Sequence, residues 1–235
     1  MVRRLAAVLL AAAAAPAFAD DFNIDPAAAQ STFNQISRDV IATINYKALG
    51  PAEATGLSGF SLGLAATYTP VDKDDWKQVT GNDLSGIGMV GLQATKGLPF
   101  GFDVGGFFTA VPGTSAKIWG VEGRYAILKG SATMPALALR GSYSRTAGVD
   151  DFTASSKSFD VSVSKGFAIL TPYLGVGQVW GSVKPDNSIP LHEKKENTTR
   201  FFAGLRLGLG VFDVVPEFEK IGGNEVYNLK LGFSI

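Results

Sequence analysis

From Gly56 onward, apolar and polar residues alternate with a period of two, the signature of strands with two unlike faces. Ten strands are predicted, at about 57–70, 86–97, 100–112, 116–128, 134–147, 156–165, 169–183, 197–209, 211–221 and 224–235. They make about 60% of the chain after residue 19, a fraction that an ordinary globular domain does not reach and a closed barrel does. Connections alternate in length. Those after odd strands are 71–85, 113–115, 148–155, 184–196 and 222–223, three of them long and polar, whereas those after even strands, 98–99, 129–133, 166–168 and 210, are all short. That asymmetry is the habit of transmembrane barrels, with short periplasmic turns and longer outer loops. The predicted class is all-β: a transmembrane antiparallel up-and-down β-barrel of about ten strands, eight to twelve being the range. A short N-terminal α-helix precedes it.

The pattern changes before residue 57. Arg3 and Arg4 precede an unbroken apolar run from Leu5 to Ala15, and Ala17-Phe18-Ala19 has the form of a leader-peptidase site. Residues 1–19 are read as a secretory signal peptide. In 20–56, Phe33, Ile36 and Val40 recur at helical spacing, with Pro26 before them and Gly50-Pro51 after. A helix is expected at about 27–42, followed by a linker, as a periplasmic segment that plugs the lumen or caps the periplasmic mouth. The alternatives are a helix resting on the membrane surface or a frayed tail. The barrel proper is 57–235.

Side-chain identity suggests which face is inside. In 116–128, Trp119, Val121, Tyr125 and Ile127 oppose Gly120, Glu122, Arg124 and Ala126. In 156–165, Phe159, Val161 and Val163 oppose Ser158, Asp160, Ser162 and Ser164. Small residues with isolated charges suit a crowded interior, and aromatics at strand ends suit a lipid boundary. A soluble barrel would reverse the two faces, and strand 169–183 is ambiguous. The inward set then contains Asp103, Glu122, Arg124, Arg140, Asp160, Arg200, Arg206, Asp213, Glu217, Glu219 and Lys230. A Gly223-Asn224 turn sets Glu217 opposite Lys230. A turn near Gly210 sets Arg206 opposite Asp213 and Arg200 opposite Glu219. The 129–133 connection sets Glu122 opposite Arg140. These charges are either a satisfied polar core or the lining of a selective pore.

The last strand carries the sharpest local signal. Tyr227, Leu229, Leu231, Phe233 and Ile235 alternate with Asn228, Lys230, Gly232 and Ser234 up to the final residue. This resembles the C-terminal signature of Gram-negative outer-membrane β-barrel proteins, with Ile235 where that family usually ends in Phe. The stretch Thr171-Pro172-Tyr173-Leu174-Gly175-Val176-Gly177 is similar to a strand phrase of small porin-like barrels. The resemblance implies residence in the bacterial outer membrane, with membrane lipid and the barrel assembly machinery as partners. It names no solute.

Composition removes other classes. The chain has 21 Lys+Arg against 21 Asp+Glu, so no basic field for nucleic acid exists. It has no cysteine and one histidine, which excludes thiol chemistry and multi-histidine metal sites. No metal or cofactor is expected. Asp72, Asp74 and Asp75 form either a cation cluster or, more simply, a solvated loop. Gly86-Ile87-Gly88-Met89-Val90-Gly91 matches a nucleotide-binding spacing but opens a strand, not a helix. His192 lies near Asp186, Ser188 and Glu193, where an outer-membrane hydrolase would need a fixed triad; a surface histidine is the simpler reading. The expectation is therefore a non-enzymatic barrel: a narrow or gated channel for small solutes, or a poorly conducting barrier. A barrel that binds a partner through its outer loops is the alternative.

Overall fold

The computed structural model describes residues 24–81, 83–131 and 133–235; the expected signal peptide lies outside them. The elements are α1 (Gln30–Ile44), β1 (Phe60–Pro70), α2 (Lys73–Thr80), β2 (Gly86–Gly97), β3 (Phe102–Ala110), β4 (Lys117–Lys129), β5 (Ala136–Ala147), β6 (Phe152–Ser164), β7 (Leu170–Pro185), β8 (Lys194–Leu209), β9 (Phe212–Ile221) and β10 (Asn224–Ser234). Each strand pairs antiparallel with its sequence neighbours, and β1 closes the barrel on β10, from Ser61↔Ser234 to Tyr68↔Tyr227. Closure leaves no sheet edge unpaired. β7 and β8 have 16 residues each, against 9–13 in the other strands, so their hairpin projects beyond the long-loop rim.

The outward positions are apolar. Leu64, Leu92, Phe108, Val121, Phe159 and Leu174 are all exposed. The ambiguous β7 is resolved the same way: Leu174, Val176 and Trp180 face out, while Tyr173 and Val179 are buried. In β10, Leu231 and Phe233 are exposed, as is Ile235 just after it, but Leu229 is covered despite its outward parity. Ile235 also exchanges both backbone hydrogen bonds with Phe60, tying the chain end into the seam.

Hairpin registers differ from the expected ones by two residues. The β9–β10 turn is Gly222-Gly223, which sets Asn228 opposite Glu217 and Val215 opposite Lys230. Gly222 has φ 59°, the left-handed conformation such a tight turn needs. The β8–β9 turn is Gly210-Val211, so Glu219 faces Phe202. Between β4 and β5 a bulge at Ile127 sets Arg124, not Glu122, opposite Arg140. A shift of two preserves the face, so every expected inward charge still points inward.

The connection 71–85 is not an irregular loop. Asp72 caps α2 by accepting from the N–H groups of Asp74 (2.9 Å) and Asp75 (3.2 Å), and Gly81 ends it with φ 72°. Asp74 and Asp75 occupy the first turn, where negative charge complements the helix dipole. The aspartate cluster is thus a helix start, and it buries Trp76 and Val79.

The helix α1 begins and ends slightly later than expected and lies inside the barrel. Phe33, Ile36 and Val40 are buried, together with Ile41 and Ile44. They pack on inward residues at the long-loop ends of the strands, among them Ile87, Ile118, Val179, Val183, Ile221 and Val226. Burying five such side chains contributes on the order of 10 kcal/mol. Gly181 makes room for this packing, since a Cβ there would meet Ile41 at 2.4 Å.

Candidate functional site: the occupied lumen

The segment 24–59 runs through the barrel from one mouth to the other. At the long-loop mouth, Ile24 N–H donates to the Asp151 carboxylate and Asp25 N–H to Val79 O. Gln30 exchanges two hydrogen bonds with the backbone of His192 (2.8 and 3.1 Å). Lower down, Ala52 and Thr55 meet Ser164 and Asp103, near the short-turn mouth. The helix therefore fills the long-loop half and does not cap the short-turn mouth, as a periplasmic segment would. The physical reason is the distribution of inward residues: the large apolar cluster around Ile87, Ile118, Val179 and Val183 lies in the long-loop half, whereas the short-turn half holds only smaller apolar groups beside its charges.

Below the helix, the extended backbone of 45–59 has no sheet partner. Its buried N–H and C=O groups need other partners, and the inward side chains supply them. Glu217 accepts from Leu49 N–H (2.9 Å), Ser164 from Ala52 N–H (3.1 Å) and Asp103 from Thr55 N–H (3.1 Å). Arg124 donates to Pro51 O (2.7 Å) and Gln93 to Lys47 O (3.1 Å). Ser156 donates to Asn45 Oδ1 (2.9 Å).

The charges also pair among themselves. Arg200 is fully buried, donates to Asp160 (2.8 Å) and to Glu219, and lies over the Phe202 ring. Lys47 Nζ completes this cluster through Glu219 (2.9 Å) and the helix-end carbonyl of Ala42 (2.8 Å). Arg124 binds Asp103 through two nitrogens (2.7 and 3.0 Å). Arg140 lies 3.2 Å from Glu122, and Arg206 lies 3.5 Å from Asp213. The expected Glu217–Lys230 pair does not form. Glu217 accepts from the Tyr173 hydroxyl (2.8 Å), and Lys230 has no ion-pair partner among the described residues. The two-residue register shift separates them.

A cavity of about 260 Å³ lies toward the short-turn mouth, bordered by Gln93, Glu122, Arg124, Arg206, Asp213 and Lys230. A second space, about 450 Å³, opens at the long-loop mouth between Arg38, Asp39, Asp75, Glu196 and the β9–β10 turn. Asp39 joins three elements there: it accepts from Trp76 Nε1 (2.8 Å) and Asn224 Nδ2 (2.7 Å). Burial, with Asp72 and Asp75 nearby, pushes its pKa up to about 6.

Several of these residues escaped the sequence reading: Asp39, Lys47, Trp76, Gln93 and Tyr173. For Lys47 a signal existed, since it is the one charge between Val40 and Ala52. The side chain of His192 makes no hydrogen bond to Asp186, Ser188 or Glu193 among the described residues. Ser188 N–H binds Asp186, and Ser182 binds Glu193 instead. Gly86, Gly88 and Gly91 lie within β2, which is followed by a single 3-10 turn (Pro99–Gly101) and then β3, not by an α-helix.

No family model and no curated protein matches the chain. Several solved structures are similar to the chain. The translocator domain of the autotransporter NalP from Neisseria meningitidis is 8% identical, with a TM-score of 0.43 over 87% of this chain and 94% of that one. The KdgM porin is 10% identical, with a TM-score of 0.39 over 74% and 99%. The N-terminal β-barrel domain of Pseudomonas aeruginosa OprF is 14% identical, with a TM-score of 0.38 over 74% and 97%. With TM-scores below 0.5, this likeness carries no argument about the chain.

Proposed function

We propose that the protein is an integral, non-enzymatic barrel of the bacterial outer membrane, exported by its signal peptide and closed by its own residues 24–59. In this reading it passes small solutes poorly while that segment is in place, and it opens only when the segment leaves. The exposed apolar wall supports the membrane setting, since soluble monomers rarely expose contiguous apolar patches beyond a few hundred Å². The alternating β10, ending in Phe233 and Ile235, suits recognition by the barrel assembly machinery.

The observation that carries the closed state is the bonded backbone of 45–59. A continuous wet path would have to break these contacts, each with a buried polar group at stake. Conductance across a planar lipid bilayer is the test. The whole protein is expected to give a closed baseline with rare small steps. A variant lacking residues 24–56 that still inserts is expected to give discrete openings. A steady open current from the whole protein would refute the reading, as would a closed truncated barrel.

The acid-lined cleft at the long-loop mouth favours a second reading, in which α2 and the β7–β8 hairpin bind a partner. In that case removing 186–193 abolishes binding to cells or matrix and leaves conductance unchanged.

A further inference from the structure

The outer wall near the long-loop rim carries charges that the barrel itself leaves unanswered. Lys117 on β4, Arg145 on β5 and Lys157 on β6 all occupy exposed, outward positions. The registers Trp119↔Arg145 and Tyr143↔Lys157 make them diagonal neighbours in one row. Diagonal neighbours on a sheet face stand about 7–8 Å apart, so the row is about 15 Å long. None of the three makes an ion pair or side-chain hydrogen bond among the described residues. From β4 to β7, no outward position is a carboxylate.

Other rim cations differ. Lys195 lies 3.6 Å from Glu193, Lys184 stands near Asp186 and Glu193, and Lys220 is opposite Glu225. At the other end, Lys96 and Lys165 donate to turn carbonyls. The row is also set among interfacial rings: Trp119 packs edge-on against Tyr143 at 5.7 Å, and Lys157 is opposite Trp180. Exposed Val121, Phe159 and Val176 continue directly below it.

Cations at a low-dielectric boundary are stable where an anion accompanies them, and a guanidinium flanked by ammonium groups matches phosphate oxygens. One phosphate cannot reach both ends of the row. We propose that Lys117, Arg145 and Lys157 bind the headgroup of a membrane lipid carrying two phosphate groups, whose acyl chains lie along Val121, Phe159 and Val176. This rests on the membrane reading above.

Native mass spectrometry of the detergent-folded protein tests it, with bis-phosphorylated lipid A, its monophosphorylated form and phosphatidylcholine as probes. Affinity is expected to fall in that order. The triple variant Lys117→Gln, Arg145→Gln, Lys157→Gln should bind the bis-phosphorylated lipid roughly 100-fold more weakly, at about fivefold per cation. The triple variant Lys184→Gln, Lys195→Gln, Lys220→Gln, with the same change in charge, should lose less than threefold. Equal losses in the two variants would overturn the site. On the unaltered protein, the bis-phosphorylated lipid should shield Lys117 and Lys157 from acetylation but not Lys184 and Lys195; uniform shielding, or none, would also overturn it. Equal uptake of all three lipids removes the phosphate site and leaves the membrane reading standing. Uptake of none, with the protein soluble after detergent removal, removes both.

Discussion

Replacing Lys47 with Met keeps the length of the side chain and deletes its charge at the point where the segment 45–59 is latched to the wall. Lys47 is 6% exposed and Glu219 is fully buried. Removing one member of a buried pair costs about 3–5 kcal/mol because the other charge is left uncompensated. Here Glu219 retains Arg200, and Arg200 retains Asp160, which places the cost at the lower end. The orphaned Ala42 carbonyl adds to it, so a loss of about 3 kcal/mol is expected, of which about 1 kcal/mol belongs to that carbonyl. Glu219→Gln should cost a similar amount. Because both changes break one contact, the double variant should fall short of additivity by about 1.5 kcal/mol or more. Urea unfolding in phosphatidylcholine vesicles, followed by tryptophan fluorescence, measures all four corners of the cycle. Amide exchange over 45–55 should quicken in Lys47→Met while the strands stay protected. A single-variant cost below about 0.5 kcal/mol, or additivity within about 0.3 kcal/mol, would mean that the latch is not there.

Two further outcomes follow from the long-loop mouth. Asp39 has a folded-state pKa raised from 3.8 to about 6, so the folded protein holds its proton more tightly than the unfolded chain. Its contribution is complete below pH 4 and is lost as pH rises through 6, roughly 3 kcal/mol in all at 1.36 kcal/mol per unit. Stability measured across pH 4–7 should show that slope in the native protein and lose it in Asp39→Asn. Ile24 is held at the long-loop mouth by Asp151, so an epitope placed ahead of it should be reached by antibody on intact cells, as should one after Asn187. An N-terminal epitope detected only after permeabilisation, with the Asn187 epitope exposed, would contradict the threading of 24–59.

Alternation along the chain was enough for the barrel, its ten strands and the face on which each charge lies, because side-chain direction in a strand depends only on parity. It also gave the apolar stripe of Phe33, Ile36 and Val40, since a helix period is equally local. Register was beyond it. Gly222-Gly223 and Gly223-Asn224 are both acceptable turns, and the bulge at Ile127 depends on how β4 meets β5. The asymmetry of the interior was hidden too. Near the long loops both faces are apolar, as at Ile118 and Val179, so local pattern does not reveal that a helix fills the space between them.

The partners of the inward charges were decided only by tertiary structure. Charges of both signs on a crowded face imply pairing in general, but not that Glu217, Asp103 and Arg124 also bond to the backbone of 45–59. An extended segment inside a closed sheet has no strand to pair with, and its amides must be answered by side chains brought from every side of the barrel. That requirement exists only once the chain has closed around itself, which is why a linear reading saw a linker there.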